Sequence, residues 1–469
     1  MGSLIRSTCW QYLSIRNTKM TRKVYLESLG CAKNQVDAEV MLNILKKKGY
    51  VHTEDMSEAD LIIINTCGFI EPAKEESLNT LFEIRDANPD KKIIFSGCLT
   101  QRYSDVLELP EADAIFGNRD LRLIGDLADE LFDDKLEDQL IVTPAYPDPD
   151  DDAYERDELL NFPGSAFLKL SEGCNHNCAY CAIPIIRGPL RSRPQKKIVK
   201  EAEMLAERGV REINIIAQDL AAWGTDVDGE SHLLELLEIL CKIEGDFRMR
   251  LLYIHPDAFP HELINFVKTH DKVLPYFDIP FQHAAVNVLS KMGRVGNEES
   301  YYQLIKSIRD EIPEAVIRTT IMLGFPGETD EEFEILMKFV ERCRFDWMGS
   351  FLYSREEDTV AYDMRAEKEH KEAHKRAVKY QLRLQDLQER ITSEELEKKF
   401  VGNVYDVLIE EIIEGEDLAI GRIYSQAPEV DGATVVMGRN LQPGTIVKAG
   451  IRRVNGVDLD AMVLGEFNG

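Results

Sequence analysis

The chain has 469 residues, 44% of them hydrophobic and 30% charged, with 84 acidic against 56 basic side chains for a formal net charge of −28. That length calls for about two to four domains, and the composition provides an ample core. The acidic balance disfavours a grip on nucleic acid, which needs a basic face, and favours a basic protein partner, while no apolar run approaches the ~20 residues of a membrane span.

Residues 1–19 form a basic leader with neither a signal-peptide apolar core nor a small-residue cleavage site, and Met20 is a natural start. Residues 22–142 alternate strands at 24–28, 61–65, 92–96 and 112–117 with helices at 35–48 and 71–85, Pro72 standing in the first turn of the second helix. This alternation predicts a parallel sheet covered by helices. Cys31, Cys67 and Cys98 each follow an apolar strand directly. The C-terminal ends of parallel strands line one edge, so three cysteines distant in sequence are expected to meet there. Asn34, Asn65 and Gln101 beside them either orient those loops or simply cap them. Residues 143–163, rich in proline and aspartate, read as an extended acidic linker.

Over residues 164–397 the alternation restarts, with strands at 166–170, 212–217, 249–254, 275–281, 316–323 and 346–352. Six strand–helix units predict a partial (β/α)6 TIM-like barrel with its chemistry at the C-terminal strand ends. The first end carries Cys174, Cys178 and Cys181 in a C-x3-C-x2-C spacing; Gln218 and Asp219, His255, Gln282 and His283, and the turn at 324–328 follow later strands. Three soft thiolates this close can hold three irons of a cubic iron–sulfur cluster and leave the fourth iron open. The competing zinc site needs a fourth closed ligand, for which only His176 is near. Cys9 reads as incidental, and Cys241 and Cys343 as buried thiols, a poor disulfide framework that points to a reducing cytosol. The charged helix at 364–397 reads as a solvated surface helix. Residues 398–466, short alternating strands with glycine turns, read as a small β-barrel of the oligonucleotide-binding shape. From residue 400 onward it holds eleven acids against five bases, a net −6.

The C-x3-C-x2-C with Tyr180 just before its third cysteine resembles the signature of the radical S-adenosylmethionine (SAM) enzymes. The resemblance implies a 4Fe-4S cluster on Cys174, Cys178 and Cys181 whose open iron chelates SAM and whose electron cleaves it to a 5′-deoxyadenosyl radical. Tyr180 and Gln218 are then candidate SAM contacts. Arg318 reads either as the partner of SAM's carboxylate or as that of a barrel acid. The stretches 28–37, 64–77 and 96–103 resemble the N-terminal domain of the radical-SAM methylthiotransferases, which implies a second, auxiliary 4Fe-4S cluster on Cys31, Cys67 and Cys98. The C-terminal barrel resembles their TRAM domain. Its stretch 421–432 is similar to the branch that adds a methylthio group to the β-carbon of an aspartate in small-subunit ribosomal protein twelve; tRNA adenosine methylthiolation is the alternative. The implied partners are that basic protein, an electron donor such as flavodoxin or ferredoxin and a sulfur source, all in the cytoplasm. Glu410, Glu411, Glu414, Glu416 and Asp417 are expected to select the basic protein by charge.

Overall fold

A computed structural model describes residues 21–133, 139–147 and 154–464. The leader with Cys9, the acidic run 148–153 of the expected linker, and Glu466 lie outside the described residues.

The N-terminal sheet consists of β1 (Lys23–Ser28), β2 (Val51–His52), β3 (Leu61–Thr66), β4 (Lys92–Gly97), β5 (Ala114–Gly117) and β6 (Leu140–Val142). All its pairings are parallel, in the order β2-β1-β3-β4-β5-β6. The apolar run of β3 is buried on both faces, as a central parallel strand must be. With a period of two, Leu61 and Ile63 pack under the helix Ala32–Lys48, and Ile62 and Ile64 pack with Leu81 and Ile84 of the helix Glu71–Ala87. The short strands β2 and β6 give no periodic signal in the sequence and extend the sheet at its two edges.

The second sheet consists of β7 (Ser165–Lys169), β10 (Glu212–Ile216), β11 (Arg248–Leu251), β12 (Val273–Asp278), β13 (Val316–Leu323) and β14 (Trp347–Leu352), six parallel strands in chain order that form a partial barrel. Between the first two, β8 (Ser171–Glu172) and β9 (Arg191–Ser192) pair antiparallel and bracket the cysteine loop. Then β15 (Val404–Ile413), β16 (Leu418–Arg422), β17 (Thr434–Met437), β18 (Ile446–Asn455) and β19 (Asp458–Val463) close a small barrel in the order β15-β16-β17-β19-β18.

Two expectations need correction. The long helix Glu367–Phe400 is not simply solvated: Ala373, Ala377, Tyr380, Leu384, Ile391 and Leu396 form a buried stripe, with most of the charges on the opposite face. The described end of the expected linker is packed rather than extended in solvent. Arg156 is fully buried, pairs with Glu39 and Glu201, and donates to the carbonyl of Phe167 at 2.7 Å. A buried guanidinium persists only with such partners, and these come from a helix of the N-terminal domain and from a helix and β7 of the barrel, so this segment ties the two domains together.

One hydrophobic cluster runs through all three units. Val36 of the first, Phe167, Leu274, Tyr276 and Val316 of the second, and Val407 and Ile409 of the third belong to it. The C-terminal barrel caps the N-terminal end of the six strands. Glu212 accepts from Arg250 at 2.8 Å and from Arg422 at 2.8 Å, and Trp347 donates its indole N–H to the carbonyl of Ser425 at 2.6 Å. Glu410 is buried on Arg422 at 2.8 Å, so it is not part of an exposed acidic face. Glu411, Glu414, Glu416 and Asp417 are exposed.

Candidate functional site

The loop holding Cys174, Cys178 and Cys181 leaves β8 at the C-terminal end of the barrel. Tyr180 is buried, accepts a hydrogen bond from Arg294 Nη2 at 3.0 Å and sets its ring edge-on to Phe325. Arg294 also donates to the carbonyl of Pro280 at 2.8 Å, which ties the cysteine loop to the end of β12. Asp219 organises the next strand end: it accepts from His176 at 2.7 Å and from the backbone N–H of His255 at 3.0 Å. The two imidazoles stack with centroids 4.1 Å apart, and His255 Nε2 lies 3.9 Å from Cys178 Sγ. Burial pushes the Cys174 thiol up to about 11 and Cys181 to about 12, with the neighbouring cysteines adding to both. Without metal these thiols therefore hold their protons, and metal binding would release them. Gln218 presents a buried Oε1 with no partner. Buried polar atoms are nearly always paired, so an orphan at this strand end fits a polar ligand. The turn at 324–328 is closed by its own acid, Glu328 accepting from the Gly324 N–H at 2.5 Å and from His283 at 3.2 Å.

Arg318 lies elsewhere. Its guanidinium meets Asp278 at 3.2 Å and Asp431 of the C-terminal barrel at 3.3 Å, so it pairs with a barrel acid, and Asp431 also accepts from the Tyr276 hydroxyl at 2.5 Å.

The strand ends of β1, β3 and β4 bring the other three cysteines together. A Cβ on Gly30 would stand 2.9 Å from Cys67 Cβ, and Gly97, at φ +113, brings its backbone so near β3 that a Cβ would fall 2.5 Å from Thr66 N. Only glycine allows both approaches. Asn34 joins the three loops: its amide donates to the carbonyls of Leu29 at 3.0 Å and Thr66 at 2.8 Å, and its Oδ1 lies 3.3 Å from Cys98 Sγ. It therefore orients these loops as well as capping them. Cys31 is exposed, Cys67 half-buried and Cys98 buried at the start of a short helix. Burial pushes Cys67 up to about 12, with Cys98 and Cys31 adding, and raises Cys98 as well.

Arg187, six residues beyond Cys181, links the two sites and is a residue that sequence reasoning passed over. Its fork reaches Cys98 Sγ at 3.5 Å, Asn34 Oδ1 at 2.7 Å, Asp37 at 2.9 Å and Glu172 at 2.8 Å. Lys169, paired with Asp37 at 2.5 Å and with Glu172, completes a buried network of two cations and two anions between the triads. The only signal in the sequence is a charge at the end of the apolar run Ala182 to Ile186.

Among the described residues no group of three or more His, Cys, Asp or Glu side chains is gathered as the ligands of a single metal ion. Three soft thiols at each site, without a fourth ligand completing a tetrahedron, fit a multi-iron cluster with one open iron better than a structural zinc.

An open six-stranded barrel with a cysteine loop at its first strand end, preceded by a cysteine-bearing α/β domain and followed by a small β-barrel, defines a radical-SAM enzyme of composite architecture. Family models agree: residues 23–117 match the uncharacterized protein family UPF0004, 168–340 the radical SAM superfamily and 401–464 the TRAM domain. Among solved structures, the radical SAM methyltransferase TsrM of Kitasatospora setae shares the fold, with a TM-score of 0.52 and 16% identity over 70% of this chain and 73% of that one. Proteins named ribosomal protein uS12 methylthiotransferase RimO are far more similar in sequence. The Treponema denticola protein is 43% identical over 93% of this chain and 99% of its own length. The Clostridioides difficile protein is 42% identical over 95% and 99%. The chain belongs to the RimO family.

Proposed function

We propose that this chain adds a methylthio group to the β-carbon of an aspartate in small-subunit ribosomal protein twelve, uS12. The observation that carries this reading is the near-full-length identity to uS12 methylthiotransferases, and the convergence of two cysteine triads on one buried network supports it. In this reading Cys174, Cys178 and Cys181 hold the cluster that binds SAM, and Cys31, Cys67 and Cys98 hold the auxiliary cluster. When bound, these groups supply a carbon-centred radical able to take hydrogen from an unactivated C–H bond, and the sulfur that replaces it. The chain's share is orientation and exclusion of water. Tyr180 fixes the cysteine loop through Arg294. Gln218 offers its unpaired Oε1 to SAM. Arg318 has the least support as a SAM contact, because two carboxylates of the protein already hold it.

An electron donor such as flavodoxin or ferredoxin and a sulfur source complete the reaction, which belongs in the cytoplasm with the ribosomes. No helix of the described residues is long and apolar enough to cross a membrane. The exposed acids Glu411, Glu414, Glu416 and Asp417 suit a basic protein and would repel a tRNA backbone. The test offers purified uS12 and tRNA separately to the anaerobically reconstituted enzyme with SAM and a reductant. Methylthiolation of one uS12 aspartate is expected; methylthioadenosine in tRNA with unmodified uS12 would overturn the reading.

A further inference from the structure

Lys33 stands in the first turn of the helix Ala32–Lys48, two residues after Cys31, and is only 7% exposed. Its ammonium lies 3.5 Å over the ring of Tyr253, at the C-terminal end of β11. The other buried cations near the site are paired or hydrogen-bonded: Lys169 with Asp37, Arg187 with Glu172, Arg294 with Tyr180. Among the described residues Lys33 has no hydrogen-bond or ion-pair partner. A buried ammonium left this way is costly, and a ring face offsets only part of the cost.

Its place gives that cost a purpose. Its charge bears on Cys31 of the N-terminal triad and on Cys174 of the barrel triad, so it lies near both. The nearest acids are already engaged, Asp278 by Arg318 and Glu172 by Arg187. Tyr253 is held at φ +70, a conformation bulky residues rarely adopt, with its N–H donated to Asp278 at 3.1 Å. Strain of this kind persists where the surroundings enforce it, and here it sets the aromatic face beneath the ammonium. Apart from the cysteine thiolates, no acid among the described residues is left to face the ammonium.

We propose that Lys33, backed by Tyr253, is the subsite that receives the carboxylate of the substrate aspartate. This deepens the uS12 reading and rests on it. The β-carbon is bonded directly to the carboxyl carbon, so an anchor on the carboxylate presents the reacting C–H between the two triads. A nucleobase offers no anion to such a group, so the subsite also separates protein from tRNA substrates.

The test is equilibrium binding to the full chain carrying both clusters, using uS12 and a uS12 version with asparagine at the modified aspartate. Wild type is expected to bind the aspartate form roughly ten- to hundred-fold tighter, the range of a hydrogen bond to a charged group. Lys33→Met is expected to lose that preference while keeping about eight irons, the content of two cubic clusters; Lys33→Arg should keep part of it. Equal binding of the two forms by wild type would overturn the proposal, whether or not the variants fold. So would a Lys33→Met enzyme that still prefers aspartate. If wild type binds neither form, the uS12 reading itself fails.

Discussion

Arg187 shows how much one side chain carries between the two triads. It satisfies Asp37 and Glu172 and approaches a cysteine sulfur, all in a buried setting. Removing one partner from such a network leaves uncompensated charge, at a cost of about 3–5 kcal/mol. Arg187→Met should therefore lower the denaturation midpoint of the cluster-free chain and reduce iron retained by the N-terminal triad, measured in a background lacking the barrel cysteines. Arg187→Lys keeps the charge but cannot span four partners with one fork, and should fall between. The six cysteines are legible as candidate ligands because soft ligands at fixed spacing, or at repeated strand ends, carry their chemistry in residue type alone. Arg187 and Lys33 are not, since their contacts exist only after folding: Arg187 meets Asn34 across 153 residues of sequence.

At the scale of elements, the strand–helix alternation is readable wherever a strand carries an apolar run, as in β3, β7 and β10. Long helices were located closely, but not which face they bury: the stripe from Ala373 to Leu396 is thin among charges. The contact of the C-terminal barrel with β10 and β11 was also hidden, because it is made by charged residues that look solvated in sequence. Burial alone would raise the Glu212 carboxyl, but Arg250 and Arg422 bring it down to about 2. A depressed carboxylate stabilises fully above its unfolded value near 4.5, and that stability is lost as pH falls from there toward about 2. The linkage is worth about 3 kcal/mol at neutral pH. Glu410, sharing Arg422, is raised by burial and offsets part of it. Trp347, whose indole bonds across this contact, is the reporter. Its fluorescence should show the contact loosening below pH about 4.5, and Glu212→Gln should be less stable at neutral pH with a shallower acid limb.

For the whole molecule, docking fixes the two triads relative to each other. Glu356, beyond β14, is buried between Lys74 at 3.1 Å and Arg102 at 2.6 Å of the N-terminal domain, and the C-terminal barrel holds the opposite end of the strands. The exposed acids near the turn between β15 and β16 are open to a partner, and the ion pair among them, Asp417 with Arg439 at 3.3 Å, is itself solvent-exposed. Changing Glu411, Glu414, Glu416 and Asp417 to Lys should slow uS12 modification several-fold. The loss should be greatest at low ionic strength, where screening is least, while SAM cleavage without substrate stays the same. The division of labour between the triads is tested most directly by two triple variants, assayed for iron, deoxyadenosine and the mass of uS12. Cys174→Ala, Cys178→Ala, Cys181→Ala should keep about four irons and cleave no SAM. Cys31→Ala, Cys67→Ala, Cys98→Ala should also keep about four irons and still form deoxyadenosine, yet leave uS12 unmodified. Full iron content in the second variant, or methylthiolated uS12 from it, would contradict the account.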